Sequence, residues 1–312
     1  MKIRYISMLL AVAATVSIAG DLSIPDTPAQ KVSTHTWVIH GPRSFPNPEN
    51  KGFMNNPAFV VTNDGVVVVD PGSSVHVGRM LLKQIAKVTD KPVTHVYGSH
   101  IHGDHWLGNH AVVEKYPKAE LIAHPDMLKR AQGGDGKSWI QLLLDLTKGA
   151  TAGTEIKAPT VATKDGDVRR IGGLTFRIHA PEKAHSHTDI MIEVPEDKLL
   201  FTGDNATAMR VPRMDDGTYK GGIAAMERAL KLDVRVVVPG HGPTGGKKVL
   251  TDFRDLLSTV YGEAKKHRAD GKEDFEMKPA VVAKLDRWKQ WEGFDEAVGK
   301  WLSLAVIEID AE

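Results

Sequence analysis

Residues 99–105 read Ser-His-Ile-His-Gly-Asp-His. Four side chains able to bind metal fall within six positions, directly after the apolar, β-branched run at 93–97. In an extended backbone alternate side chains point the same way, so His100 and His102 share a face. Asp104 and His105 then open a helical pattern (104–116) and turn back toward the same space. His110, further along that pattern, is a fifth candidate. Neutral imidazole and carboxylate are ligands for zinc, so the chain must bring a strand end and a helix start to one site.

Three later segments present the same residue types just beside apolar runs. They are Ala184-His185-Ser186-His187-Thr188-Asp189, Phe201-Thr202-Gly203-Asp204 and Val238-Pro239-Gly240-His241. Two metals about 3.5–4 Å apart need more ligands than the first loop holds, and these segments can supply them. The 312 residues contain no cysteine, which removes thiolate both as ligand and as nucleophile. Ser99 has no base reserved for it and is not read as a nucleophile.

The elements around these loops form two similar sets. Strands are expected at 36–40, 58–61 and 65–69, the last two forming a hairpin around Asn63-Asp64-Gly65. A helix follows at 75–88, strands at 93–97 and 119–123, and a helix at 137–148. The second set has hairpins 167–171/174–180 over Gly172-Gly173 and 190–194/198–202 over Pro195-Glu196-Asp197. A helix at 222–230 and a strand at 234–238 complete it. Two such sets predict an α+β chain with two sheets face to face and helices outside. Residues 246–312 read as a helical extension in which Trp288, Trp291 and Trp301 pack the helices onto the body.

Residues 1–20 have the build of a signal peptide: Lys2 and Arg4, an apolar run from Met8 to Ile18, then small residues before Gly20. The run is shorter than the roughly 20 residues of a membrane span. Export to the periplasm or beyond is therefore expected, with no stable membrane span once the leader is cleaved. Residues 21–31 read as a Pro-rich linker, 32–245 as the main domain. Forty basic and 39 acidic residues, without a long basic run, give no electrostatic reason to expect nucleic acid. The expected partner is a small molecule.

The metal-binding segments resemble those of the metallo-β-lactamase-fold superfamily over about residues 32–245, and His100 to His105 match its His-x-His-x-Asp-His motif in full. The resemblance implies an αββα sandwich with the site at one edge between the sheets, and two zinc ions. His100, His102 and a third histidine would hold one ion. Asp104, His105 and His241 would hold the other, and Asp204 would bridge them. Val69-Asp70-Pro71-Gly72 matches the family's Asp-x-Gly segment, with Asp70 orienting a ligand rather than binding metal. His185 and His187 both lie in the loop of the third histidine. Counting back from Ile190 places His185 in the ligand position, with His187 behind it or facing substrate. Thr188 departs from the usual Gly there.

A metal pair would lower the pKa of a water between them, giving a hydroxide nucleophile, and would polarise the substrate. Family resemblance gives Asp104 a further role in accepting that water's proton. The absent cysteine and the present Asp204 point to the thioesterase, lactonase and phosphodiesterase branches rather than to a dedicated β-lactamase. The expected reaction is hydrolysis of an ester, thioester or lactone. Broad or weak lactam cleavage, a single-iron sulfur dioxygenase and a non-catalytic metal-binding protein are the alternatives. The loop 41–56 should overhang the site, with Phe45, Phe53 and Met54 as an apolar wall. Trp106, Arg210 and Arg213 are candidate substrate contacts, the arginines for an anionic group.

Overall fold

The structure is a computed structural model and describes residues 22–312; the signal-peptide segment lies outside the described residues. Seven strands form the first sheet in sequential order: β1 (Gln30–Lys31), β2 (Thr36–Val38), β3 (Ala58–Val61), β4 (Val66–Val69), β5 (Val93–Tyr97), β6 (Glu120–Ala123) and β7 (Val161–Ala162). The second sheet runs β12 (Val236–Pro239), β11 (Leu199–Gly203), β10 (Met191–Val194), β9 (Leu174–His179), β8 (Val168–Ile171). Strands β4 to β7 pair in parallel, as do β11 and β12; the remaining pairs are antiparallel.

Strand alternation sorts the valines and leucines into layers. Val67, Val69, Ile192, Leu199 and Phe201 fill the space between the sheets. Val66 and Val68 face outward onto α1 (Val75–Val88) and the helix following the metal loop. On the other side, Met191, Leu200 and Val237 face α6 (Tyr219–Leu230) and the C-terminal helices α7 (Lys248–Ala269), α8 (Asp274–Val282) and α9 (Phe294–Asp310). The result is the expected αββα sandwich. Trp288, Trp291 and Trp301 are buried in the last of these layers.

Four local expectations change. The helix expected at 104–116 divides into α2 (Gly103–Trp106) and α3 (Asn109–Lys115). At the break, Gly108 meets the segment after β4: its N–H donates to Gly72 O (2.7 Å), and a Cβ there would sit 2.3 Å from Pro71 O. The helix expected at 137–148 is α5 (Gly134–Leu146), which starts three residues earlier, and a helix not expected, α4 (Pro125–Gln132), started by Pro125 and capped by His124, precedes it. Helix α6 begins three residues early because Thr218 Oγ1 accepts from Gly221 N (3.1 Å). The stretch read as linker contributes β1 and the buried Ile24.

Candidate metal centre

Every parallel strand pair brings its carboxyl ends to the same edge, where ligands collect in open α/β sheets. Asp70 follows β4, His100 follows β5, Asp204 follows β11 and His241 follows β12. His185 lies in the loop before β10; because β10 runs antiparallel to β11, its start also lies at this edge. Two cross-sheet bonds hold the loops in register: Ile190 N to Ser99 O (2.8 Å) and Ile101 N to Thr188 Oγ1 (3.0 Å).

The ligand candidates gather into two adjoining buried groups, His100–His102–His185–Asp204 and Asp104–His105–His241. Asp204 lies between them. Its Oδ1 is 3.3 Å from His105 Nε2, and its Oδ2 is 3.3 Å from His241 Nε2 and 3.6 Å from His185 Nε2. Asp104 Oδ2 is 3.4 Å from His105 Nε2 and 3.3 Å from His241 Nε2.

The surrounding bonds decide which nitrogen of each ring is free. Asp70 accepts from Ser99 N and Ser99 Oγ (both 2.7 Å) and from His105 Nδ1 (2.9 Å). Ser99 Oγ, having given its proton to Asp70, accepts from His100 Nδ1 (2.9 Å). Both rings turn their Nε2 toward the centre, and both nitrogens are buried without a hydrogen-bond partner. His102 works from its other side: Nε2 donates to Asp216 Oδ2 (2.8 Å), leaving Nδ1 3.0 Å from His185 Nε2. His241 Nδ1 faces Met54 O (2.9 Å) and Arg210 Nη1 (2.8 Å); donation to Met54 frees its Nε2. Buried polar atoms left without partners are costly, and here they converge as a donor set. Asp70 itself has φ +51°, a conformation rare outside glycine, which aims its carboxylate at Ser99 and His105.

The electrostatics suit a cation. Burial, then the neighbouring His105, His102 and His185, hold His100 well below the ordinary imidazole pKa; burial brings His185 to about 3. Burial alone would raise Asp104 and Asp204, but His105 and His241 beside them hold both ionised. Burial would also lower His105, yet Asp104, Asp204 and Asp70 outweigh it and raise it well above normal. Two carboxylates thus draw positive charge into a dry site, and the neutral imidazoles of His100 and His185 stand beside them. The residues present fit divalent metal.

The loop carrying His185 is ordered by Asp189, which accepts from His185 N and Ser186 N (both 2.8 Å) and from Ser186 Oγ (2.6 Å). His187 is exposed, so it neither stands behind a ligand nor reaches the centre. His110 is also elsewhere: the break at Gly108 resets the helix, and its Nδ1 accepts from Glu155 N (3.1 Å). Sequence reading missed Asp216. Nothing in its local pattern marks it, since only the fold carries the 204–218 loop over His102.

A cavity of about 500 Å³ opens above the centre, with His102, Asp104, Asp204 and His241 at its floor. Phe45, Met54, Arg210 and Arg213 line it as expected. Phe53 and Trp106 do not. Phe53 is buried against α1, and Trp106 is fully buried among Met127, Ala131 and Leu143, its Nε1 donating to Ile101 O (2.8 Å). The α2 turn that aims Asp104 and His105 at the centre directs the next side chain into the core. Arg213 faces the cavity but is engaged by Asp215 (3.1 Å) and Asp216 (3.8 Å). Arg210 is buried, stacked on Phe45 at 4.6 Å.

This fold and this two-part donor site are those of the metallo-beta-lactamase superfamily, and the chain belongs to it: the family model matches residues 51–241. A metallo-beta-lactamase from Pontibacter korlensis superposes with a TM-score of 0.56 at 21% identity, covering 74% of this chain and 98% of that one. The inverting sec-alkylsulfatase Pisa1 from Pseudomonas sp. superposes at 0.69 with 18% identity, covering 90% of this chain and 50% of that longer one. In sequence, an atrochrysone carboxyl ACP thioesterase from Paecilomyces divaricatus is 33% identical over 81 residues, a quarter of this chain and 24% of that protein.

Proposed function

We propose that the protein is an exported hydrolase that uses two zinc ions to cleave an ester, thioester or lactone. The observation that carries this reading is the pair of adjoining buried ligand groups with Asp204 between them. Nitrogen and oxygen donors without thiolate suit zinc in an open, catalytic site. His100, His102, His185 and Asp204 would hold one ion, and Asp104, His105, His241 and Asp204 the other. When bound, such a pair supplies an acidified water and Lewis-acid polarisation of the substrate oxygen.

The chain's own groups do the rest. Asp70 and Ser99 fix the ring orientations of His100 and His105. Asp216 fixes His102. Asp104, ionised and at the cavity floor, can take a proton at its carboxylate. Arg210 presents a buried guanidinium beside His241, where it can stabilise negative charge on the substrate oxygen. Export rests on Lys2, Arg4 and the apolar run that follows.

The test is metal content per chain together with turnover on thioester, lactone, phosphodiester and cephalosporin substrates. Two zinc ions and ester or lactone turnover are expected, with at least a hundredfold loss in His102→Ala. A metal-replete protein without turnover on any of these, or one iron with oxygen consumption, would overturn the reading.

A further inference from the structure

We infer that the cavity above the centre is an acyl-chain subsite, built by two helices whose apolar stripes face each other across it. The inference rests on the hydrolase reading and names the substrate class: esters or thioesters of an acid with a neutral, apolar chain.

On α5, Trp139, Leu142 and Leu146 recur at i, i+3 and i+7, one face of a helix. The core takes Gly136 and Leu143 and packs part of Trp139, leaving the two leucines outside it. Leu142 and Leu146 stay 38% and 43% exposed, and both line the cavity. Opposite them, α9 presents Ala297, Trp301 and Leu304, again at helical spacing. Two leucines left facing solvent on one helix face cost hydrophobic free energy unless something covers them. Their continuity with the floor residues His102 and Asp204 specifies the cover. It must place a reactive oxygen at the metal centre and an apolar chain between α5 and α9. A volume of about 500 Å³ is within the range of small-molecule sites, roughly 300–1,000 Å³.

The charges at the mouth argue against an anionic tail. Lys300 pairs with Asp215, and Arg213 with Asp215 and Asp216. Glu296, exposed on α9, adds negative charge. Lys300 and Arg213 are already neutralised, and the remaining arginine of the lining, Arg210, is buried beside His241 at the floor, so the walls between α5 and α9 offer a neutral chain contact area and an acidic tail no free partner.

The experiment measures kcat/KM of the metal-loaded full chain on 4-nitrophenyl acetate, butyrate, hexanoate and octanoate. In parallel, binding of acetate, butyrate, hexanoate and octanoate is followed by tryptophan fluorescence, since Trp139 and Trp301 line the cavity. Both series should strengthen about three- to fourfold per added methylene, the factor corresponding to roughly 0.8 kcal/mol. In Leu142→Ser/Leu146→Ser the factor should fall toward one.

Turnover with no length dependence, or an unchanged factor in the double variant, would overturn the chain subsite and leave the hydrolase reading standing. Length-dependent binding without turnover of any ester, thioester or lactone would support the subsite and overturn the hydrolase reading. A double variant that converts a dimer to a monomer while keeping the length dependence would assign the leucines to a second copy of the chain, against the proposal.

Discussion

At the scale of single residues, the proposed metal centre depends on groups that would not touch the metal themselves. Each ligand imidazole needs one nitrogen protonated and committed so that the other is free, and carboxylates or carbonyls do this work from behind. Asp70 serves two rings at once, directly for His105 and through Ser99 for His100. Asp216 does the same for His102; its pairing with that ring comes first among the causes that hold its carboxyl well below the usual range. Asp216→Asn keeps the shape and removes the charge. It should weaken metal affinity or turnover by about 10- to 100-fold, read by competition with a chromogenic chelator and by steady-state kinetics. Since Asp216 is about one-third exposed, a purely superficial role would leave both unchanged.

At the scale of elements, the sheets are joined away from the centre by a buried carboxylate. Asp197, in the turn between β10 and β11, accepts from Ser33 Oγ, from His35 N (3.0 Å) and Nδ1 (2.7 Å), and from Thr36 Oγ1 (2.8 Å). This ties the start of the first sheet to the second. Burial would raise its pKa, but the bonds from Ser33, Thr36 and His35 prevail and hold it below the ordinary value. A depressed folded-state pKa adds stability above the unfolded value of about 3.9, and that stability is lost as pH falls through the folded one. Asp197→Ala should therefore cost roughly 2–4 kcal/mol at pH 7, through the donors it strands. Urea melts of wild type and variant should converge as the medium is taken below about pH 4; a constant gap would show that the charge contributes nothing.

At the scale of the whole molecule, the C-terminal helices do two jobs. They share one core with α6 and the outer face of the second sheet, in which Leu302, Phe253 and Leu257 are buried with Met191 and Leu200. They also supply one wall of the cavity. A helical extension packed this way belongs to the same cooperative unit as the sandwich. Leu302→Ala should lower stability by about 2–5 kcal/mol and shift a single unfolding transition seen alike by far-UV circular dichroism and tryptophan fluorescence. A separate early loss of helix, with the sandwich intact, would contradict this. Among the described residues, no helix is long and apolar enough to cross a membrane.

The donor set was legible in the sequence because metal chemistry restricts it to few residue types and the loops place them beside apolar strands. His100, His102, Asp104, His105, His185, Asp204 and His241 could each be named, and the two sheets followed from hairpin signals and alternation. What surrounds the donors was not legible. Trp106 follows the motif directly and yet faces the core, because one helical step, about 100°, rotates it away from its neighbour His105. Arg213 carries the charge expected of an anion contact but spends it on Asp215 and Asp216. Gly108 splits a helix only because the segment after β4 crosses there. Leu142, Leu146 and Leu304 become a cavity wall only when α5 and α9, far apart in sequence, are set facing each other. Local chemistry determined which residues can hold metal; packing between distant segments decided which of their neighbours orient the donors, which fill the core and which remain to meet a substrate.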